Sequence, residues 1–289
     1  MSNSALLKSS IAKKYWMALT GLFLCLFLAG HLAGNLQLIF GTPLQFNEYA
    51  LFMTTNPAVK ILSYLTYLSI LFHAIDGIIL TIQNRKARPI PYAKTDGSSS
   101  SFASRNMALL GTIILIFIVT HMVNFWAKMH FDKNMPLMTK TIEVQPGLPQ
   151  NFYVGTQTGQ YFPVEQVEIN HHEKDAKRNH SDKQFILKNR TELYYAQADV
   201  KTADLYKDLH KLTVDFFRHP KTGLIATILY ALAMMALAFH LWHGFQSAFR
   251  SLGLGNKTLM NCVQIFGKLF SIIVPLLFAI IPLVIHFKK

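Results

Sequence analysis

Four histidines stand inside long apolar runs, His31, His73, His121 and His240, and a fifth, His243, follows the last by three residues. Imidazole is costly in hydrocarbon, so each such histidine faces a partner, either another helix or a ligand. Depth separates the two uses. With flanking charges marking the inner edge and about 1.5 Å rise per residue, His31 lies sixteen residues past Tyr15 and His121 sixteen past Arg105, each about 24 Å deep. Counting back from the other end, His73 lies eleven residues before Asn84 and His240 ten before Arg250, about 16 and 15 Å deep. His243 would sit at about 10 Å, a turn out of step with His73. Two imidazoles at one level on different helices can take the two faces of a porphyrin, leaving a six-coordinate iron suited to electron transfer. Two levels predict two b-type haems, His31 with His121 on the outer side and His73 with His240 on the inner side.

A short internal repeat points the same way. Met17-Ala-Leu-Thr-Gly21 precedes His31 as Met107-Ala-Leu-Leu-Gly111 precedes His121, with ten residues from glycine to histidine in both. Phe72-His73-Ala-Ile-Asp-Gly77 likewise matches Phe239-His240-Leu-Trp-His-Gly244. A glycine one turn past each inner histidine leaves room for a flat ring or for close helix packing.

These residues must be positioned by helices. The chain has 289 residues, 51% hydrophobic and only 15% charged. Apolar runs near 15–40, 58–84, 104–128, 222–248 and 259–287 predict an all-α integral membrane bundle of five spans. The first run follows Lys8, Lys13 and Lys14 but is too long for a signal peptide and lacks a cleavage site, so it is expected to be retained. Net charge of +13 does not imply nucleic acid, because no basic face on a soluble fold is available. Basic residues precede span one, lie between two and three (Arg85, Lys86, Arg88, Lys94, Arg105) and between four and five (Arg250, Lys257). The expected orientation is therefore amino terminus inside and carboxyl terminus outside. Residues 1–128 would carry helices one to three, 129–221 a long polar outer insertion, and 222–289 helices four and five. The insertion holds 13 basic and 12 acidic residues and does not vote on orientation. Within it, Thr191–Val214 reads as weakly helical and Gly147–Phe162 as irregular or strand-forming. His171-His172 lies in a charge run that reads as solvated, and Asp96–Ser101 as a short flexible inner loop. The two cysteines, Cys25 and Cys262, form neither a disulfide framework nor a zinc motif, and without Cys-x-x-Cys-His any haem is held without thioether bonds.

The set Thr20-Gly-Leu-Phe-Leu-Cys-Leu-Phe-Leu-Ala-Gly-His31-Leu, Phe46-Asn with Phe52-Met, Phe72-His-Ala-Ile-Asp-Gly77, Val119-Thr-His-Met122 and Phe239-His-Leu-Trp-His-Gly-Phe-Gln-Ser247 resembles the single-chain di-haem cytochrome b anchor of bacterial succinate dehydrogenases and fumarate reductases. The resemblance covers all five spans. It implies haem ligation by the four histidines as paired above, a multi-pass location in the bacterial cytoplasmic membrane, and two partner subunits, a flavoprotein acting on succinate and fumarate and an iron-sulfur protein. It implies quinone reduction or quinol oxidation as the chain's own reaction, with menaquinone the expected quinone if the membrane field drives a low-potential acceptor, and it is compatible with an oligomer of the whole complex. The chain has no dinucleotide-binding glycine motif and no cysteine cluster, so the dicarboxylate chemistry belongs to the partners. It departs from the family in the long insertion and in lacking a carboxylate just before the fourth-span histidine, where Leu237, Ala238 and Phe239 stand.

Glu48, the carboxylate of the short outer connection, is the candidate for quinone protonation, against an ordinary exposed loop carboxylate. Asp76 serves a proton path or pairs with a basic residue, and Arg85, Arg105 and Lys268 are candidate partners of haem propionates, with snorkelling to the headgroups open for Lys268. Trp16 and Trp126 read as interfacial anchors. Succinate oxidation inside with quinone reduction outside would let each electron gain about 2.3 kcal/mol per 100 mV of membrane potential. Two competing readings are a quinol-oxidising di-haem anchor of another respiratory complex and a non-redox transporter or structural protein. A transporter would show inverted halves and helices broken near mid-membrane, whereas here the repeat runs in one direction and only Pro275 and Pro282 interrupt a span.

Overall fold

A computed structural model of the protein describes residues 10–87, 101–156, 159–169, 183–254 and 256–288. Among the described residues, five helices are long and apolar enough to cross a membrane, Ile11–Phe40, Pro57–Ala87, Met107–Phe131, Gly223–Ser251 and Lys257–Phe287. The regular helices are named α1 (Ser10–Asn35), α2 (Pro43–Thr55), α3 (Pro57–Ala87), α4 (Met107–His121), α5 (Leu209–Arg218), α6 (Gly223–Ser251) and α7 (Lys257–Phe287). Short turns of helix at Gln37–Phe40, Phe102–Arg105 and Lys128–Phe131 extend or precede them.

The chain divides into two compact units, one built from 1–39, 57–120 and 217–289 and the other from 40–56 and 121–216. In the first, the core joins Cys25 of α1 to Ala233, Met234, Leu237, Leu241 and Phe245 of α6 and to Met260 and Val263 of α7. Lipid is as apolar as these side chains, so close fit rather than water exclusion holds such helices together. Gly267 supplies one instance, since a Cβ there would lie 2.7 Å from the Phe245 ring, and the missing side chain is the notch the ring fills. Helix α7 starts on Asn256, whose side chain accepts from the Thr258 and Leu259 amides, and runs unbroken through Pro275 and Pro282, both buried.

In the second unit α2 opens with a reciprocal cap, in which the Thr42 hydroxyl accepts from the Gln45 amide and the Gln45 side chain from the Thr42 amide. Two small sheets follow. Strands β1 (Thr139–Gln145), β2 (Leu148–Val154) and β3 (Tyr161–Pro163) form an antiparallel meander. Strands β4 (Val167–Ile169), β5 (Phe185–Lys188), β6 (Glu192–Tyr195) and β7 (Val200–Asp204) form the other, with β4 parallel to β5 and the rest antiparallel. Tyr153, Phe162, Val167, Phe185, Leu187, Leu193 and Leu205 make their shared core. A second cluster, Met138, Val154 and Tyr206, packs with Leu44 and Leu51 of α2, so the connection after the first span is built into the same unit as the insertion.

Asn47 ties α2 to α5. It is 1% exposed, donates from Nδ2 to Asp208 Oδ1 at 2.9 Å and accepts from the His210 amide at 3.0 Å, while the same Asp208 oxygen accepts from the Lys211 amide. Substitution Asn47→Ala would take one of two hydrogen bonds from this Asp208 oxygen and leave the His210 N–H at the start of α5 without its acceptor. The expected cost is about 2–3 kcal/mol, read as a lower midpoint in thermal unfolding of the detergent-solubilised protein; Asn47→Asp should cost as much or more by opposing two carboxylates.

The expectation of an all-α chain is corrected here: the described part of the insertion carries two small sheets. Its strands are three to seven residues long and several, such as the wholly buried Phe185-Ile-Leu, show no alternation that would mark them. Thr191–Val214, read as weakly helical, is instead β6, β7 and only the beginning of α5. The turn between β5 and β6 places Asn189 and Arg190 at φ of 47° and 71°, the left-handed pair that closes a tight hairpin. Strand-forming chain at 147–162 is as expected, in β2 and the start of β3. His171, His172 and residues 96–100 lie outside the described residues, and Ser101 caps the Phe102–Arg105 turn.

Candidate haem sites and the quinone side

The sequence repeat becomes a repeated contact. On α1 and α3, a Cβ at Gly21 would lie 3.2 Å from His73 Cε1, and one at Gly77 would lie 3.7 Å from the Met17 methyl. On α4 and α6, a Cβ at Gly111 would lie 3.7 Å from His240 Cε1, and one at Gly244 would lie 3.9 Å from the Met107 methyl. Each antiparallel pair thus sets a histidine into one glycine notch and a methionine into the other. The arrangement brings the His73 and His240 rings to 6.2 Å between centroids, inclined at 66°. A metal held between two imidazole nitrogens at about 2 Å each separates the ring centroids by about 6 Å. The structure thus brings together the pair that the depth count put on the inner level, at a centroid separation compatible with one iron between them.

The partners of each ring fit ligation. His73 Nδ1 lies 3.2 Å from the Thr20 hydroxyl, which itself donates to the Trp16 carbonyl at 2.7 Å, and the Met17 backbone is a further hydrogen-bond partner of the His73 ring. Metal-binding histidines are commonly oriented in this way through one nitrogen. His240 Nδ1 is buried with no hydrogen-bond partner. A buried polar atom left so calls for an explanation, and a group seated between the two rings supplies one. It is His240 whose ring meets His73; His243 is half-buried one turn further along α6. No cluster of three or more His, Cys, Asp or Glu suited to a bare metal ion occurs among the described residues, whereas a porphyrin brings four of the six ligands itself.

The outer-level histidines fall in different units. His31, in the first, is stacked on Phe27 at 5.2 Å and 16°, meets Phe278 at 5.7 Å, and has the Asn35 amide nitrogen 3.4 Å from both ring nitrogens. That amide is held in place by its 2.8 Å bond to the His31 carbonyl. His121, in the second, ends α4 with its ring 5.2 Å from Phe125. The helix then continues for six residues, Met122–Ala127, as a π-helix before its last turn, Lys128–Phe131. Such wide turns are rare and concentrate at functional sites. Nothing in Met-Val-Asn-Phe-Trp-Ala announces this one.

Glu48 stands exposed on α2, close enough to Tyr206 that its charge, after burial, pushes the Tyr206 phenol up from its ordinary range. The Tyr206 hydroxyl donates to the Thr156 carbonyl at 3.1 Å. Asp76 is half-buried on α3, near enough for its charge to act on His73. Arg85 and Arg105 are exposed at helix ends, and Lys268 Nζ lies 5.8 Å over the Trp242 ring, a cation–π contact. Trp16 is exposed, as an anchor would be, but Trp126 is stacked on His130. The Thr20 partner of His73, the Asn47 tie and the π-helix are the features that sequence reasoning missed. Thr20 had a signal, being the residue beside the notch glycine on the same helix.

Comparison with protein-family models, with curated proteins and with solved structures finds no match to this chain.

Proposed function

We propose that this chain is the di-haem cytochrome b membrane anchor of a succinate:quinone oxidoreductase, passing electrons between an iron-sulfur subunit and menaquinone. The observation that carries the reading is the repeated notch contact and the 6.2 Å separation it gives His73 and His240. His73 and His240 would hold the inner haem, and His31 and His121 the outer one. Haem b bound between two imidazoles supplies reversible one-electron transfer without an open site for oxygen. The protein's share is to fix the rings: Thr20 sets the His73 ring, Gly21 and Gly111 admit the imidazole edges, and Asn35 and Phe27 restrain His31. An N-in, C-out orientation with residues 129–221 outside belongs to the same proposal and rests on the basic residues before the first span and between the second and third. The flavoprotein and iron-sulfur partners, and the bacterial cytoplasmic membrane, are part of the same proposal.

The test is a reduced-minus-oxidised spectrum of the purified chain with a pyridine-haemochrome count. Two b-type haems per chain are expected, and a colourless preparation from haem-replete cells would overturn the reading. At the quinone side, Glu48→Gln is expected to slow quinone turnover about tenfold or more while haem content stays at the wild-type level. Unchanged turnover would remove Glu48 from the protonation scheme.

A further inference from the structure

The outer end of the Met107–Phe131 span carries chemistry that the haem ligands do not use. There the π-helix turns the chain into an aromatic wall. Trp126 and His130 are stacked at 4.7 Å and 28°, and Phe131 meets Trp126 edge-on at 5.5 Å and His130 at 6.3 Å. Phe131 is 69% exposed, while Trp126 and His130 are half-buried. His130 Nδ1 lies 2.8 Å from the Trp126 carbonyl. A carbonyl only accepts, so Nδ1 carries the hydrogen and Nε2 is the nitrogen left to exchange a proton. Two cations close the helix end: Arg190 donates to the His130 carbonyl at 2.7 Å and Lys207 Nζ to the Met129 carbonyl at 2.8 Å. They neutralise the negative end of the helix dipole and leave net positive charge beside the imidazole. Burial, and after it the charge of Arg190, holds the Lys207 ammonium below its ordinary range.

We propose that this wall receives the flat head group of an isoprenoid quinone and that His130 donates a proton to one of its ring oxygens. The proposal rests on the redox reading above and names a residue of its quinone site. An apolar ring at the end of an apolar helix, a half-buried imidazole with one nitrogen fixed, and positive charge that favours oxygen as it gains electron density are what such a substrate needs. Reduction takes two electrons and two protons, converting each ring C=O to C–OH. The electrons come from the dicarboxylate oxidised by the partner subunits. One proton leaves Nε2 of the His130 imidazolium, which is recharged from outer water, and the other is the share proposed for Glu48.

The chain has three tryptophans, so Trp16→Phe with Trp242→Phe leaves Trp126 as the sole reporter. Titrating that full-length protein with a short-chain menaquinone analogue should quench Trp126 emission saturably. His130→Gln should keep the quench within about threefold in Kd, and in the assembled complex should lower kcat for quinone reduction about a hundredfold with KM changed less than about threefold. Added imidazole should restore part of the turnover of His130→Gly, which a merely structural histidine would not allow. Absence of saturable quenching, or wild-type kcat in His130→Gln, overturns the proposal. Both measurements are made on preparations carrying two haems per chain, so their failure is separate from failure of the haem assignment, which would appear as missing haem in the wild type.

Discussion

On the di-haem reading, His240→Ala is expected to leave one haem per chain instead of two, and His73→Ala to give the same result with the same haem missing. The two rings meet at 6.2 Å between centroids. At the proposed site, losing one of two imidazole ligands would remove a bond and leave a polar cavity, so the site is expected to empty rather than weaken by degrees. The double variant should therefore be no worse than either single, a non-additivity that marks residues acting as a unit. His31→Ala and His121→Ala should remove the other haem. His243→Ala should retain both, because its ring is not the one that meets His73. The measurement is haem per chain by pyridine haemochrome, with a redox titration in which one of two components disappears in each ligand variant. Loss of the same component in His73→Ala and His121→Ala would break the pairing, as would full haem content in His240→Ala.

The proximity of His73 and His240 was legible because helix rise is fixed. A depth count from flanking charges needs no tertiary information, and a glycine one turn from each histidine shows where two helices can come close. The choice of His240 over His243 followed from that arithmetic, a turn of helix being larger than its error. The spans were equally legible, since hydrocarbon thickness imposes a length that few other segments reach. The outer unit was not. Its strands run from three to seven residues, its β5–β6 hairpin turns on Asn189-Arg190 rather than on a glycine, and the first three residues of β5 are all buried, so period and punctuation were both missing. Thr191–Val214 misled because no glycine or proline separates its strands from the helix that begins at Leu209. The π-helix after His121 and the Asn47–Asp208 tie depend on partners far along the chain, and a local reading has no access to those.

Gly223→Ala is expected to be among the most damaging small substitutions in the protein. Gly223 opens α6, the helix that presents His240, and a Cβ there would lie 2.3 Å from the Phe217 carbonyl oxygen and 2.9 Å from its carbon. Those are backbone atoms, so no side chain can swing aside. The carbonyl is held from the other side as well, since His286 of α7 donates to it from Nδ1 at 2.7 Å. The neighbouring Arg218 donates from Nε to the Ile285 carbonyl at 2.8 Å, and Phe217 itself is 3% exposed against Tyr230. Relief must come from the Gly223 side, where the 2.8 Å bond to the His219 carbonyl and the Thr227 hydroxyl on the Gly223 carbonyl would be strained together. A loss of about 3 kcal/mol or more is expected, as for other clashes against fixed backbone, with the unfolding midpoint in detergent as the readout. The clash predicts its own partial remedy. His286→Ala frees the Phe217 carbonyl to move, so in the Gly223→Ala background it should cost less than it does alone, a coupling of about 1 kcal/mol in a double-mutant cycle. Simple additivity of the two would mean that the carbonyl is not pinned and that α6 begins by a looser turn than the one described.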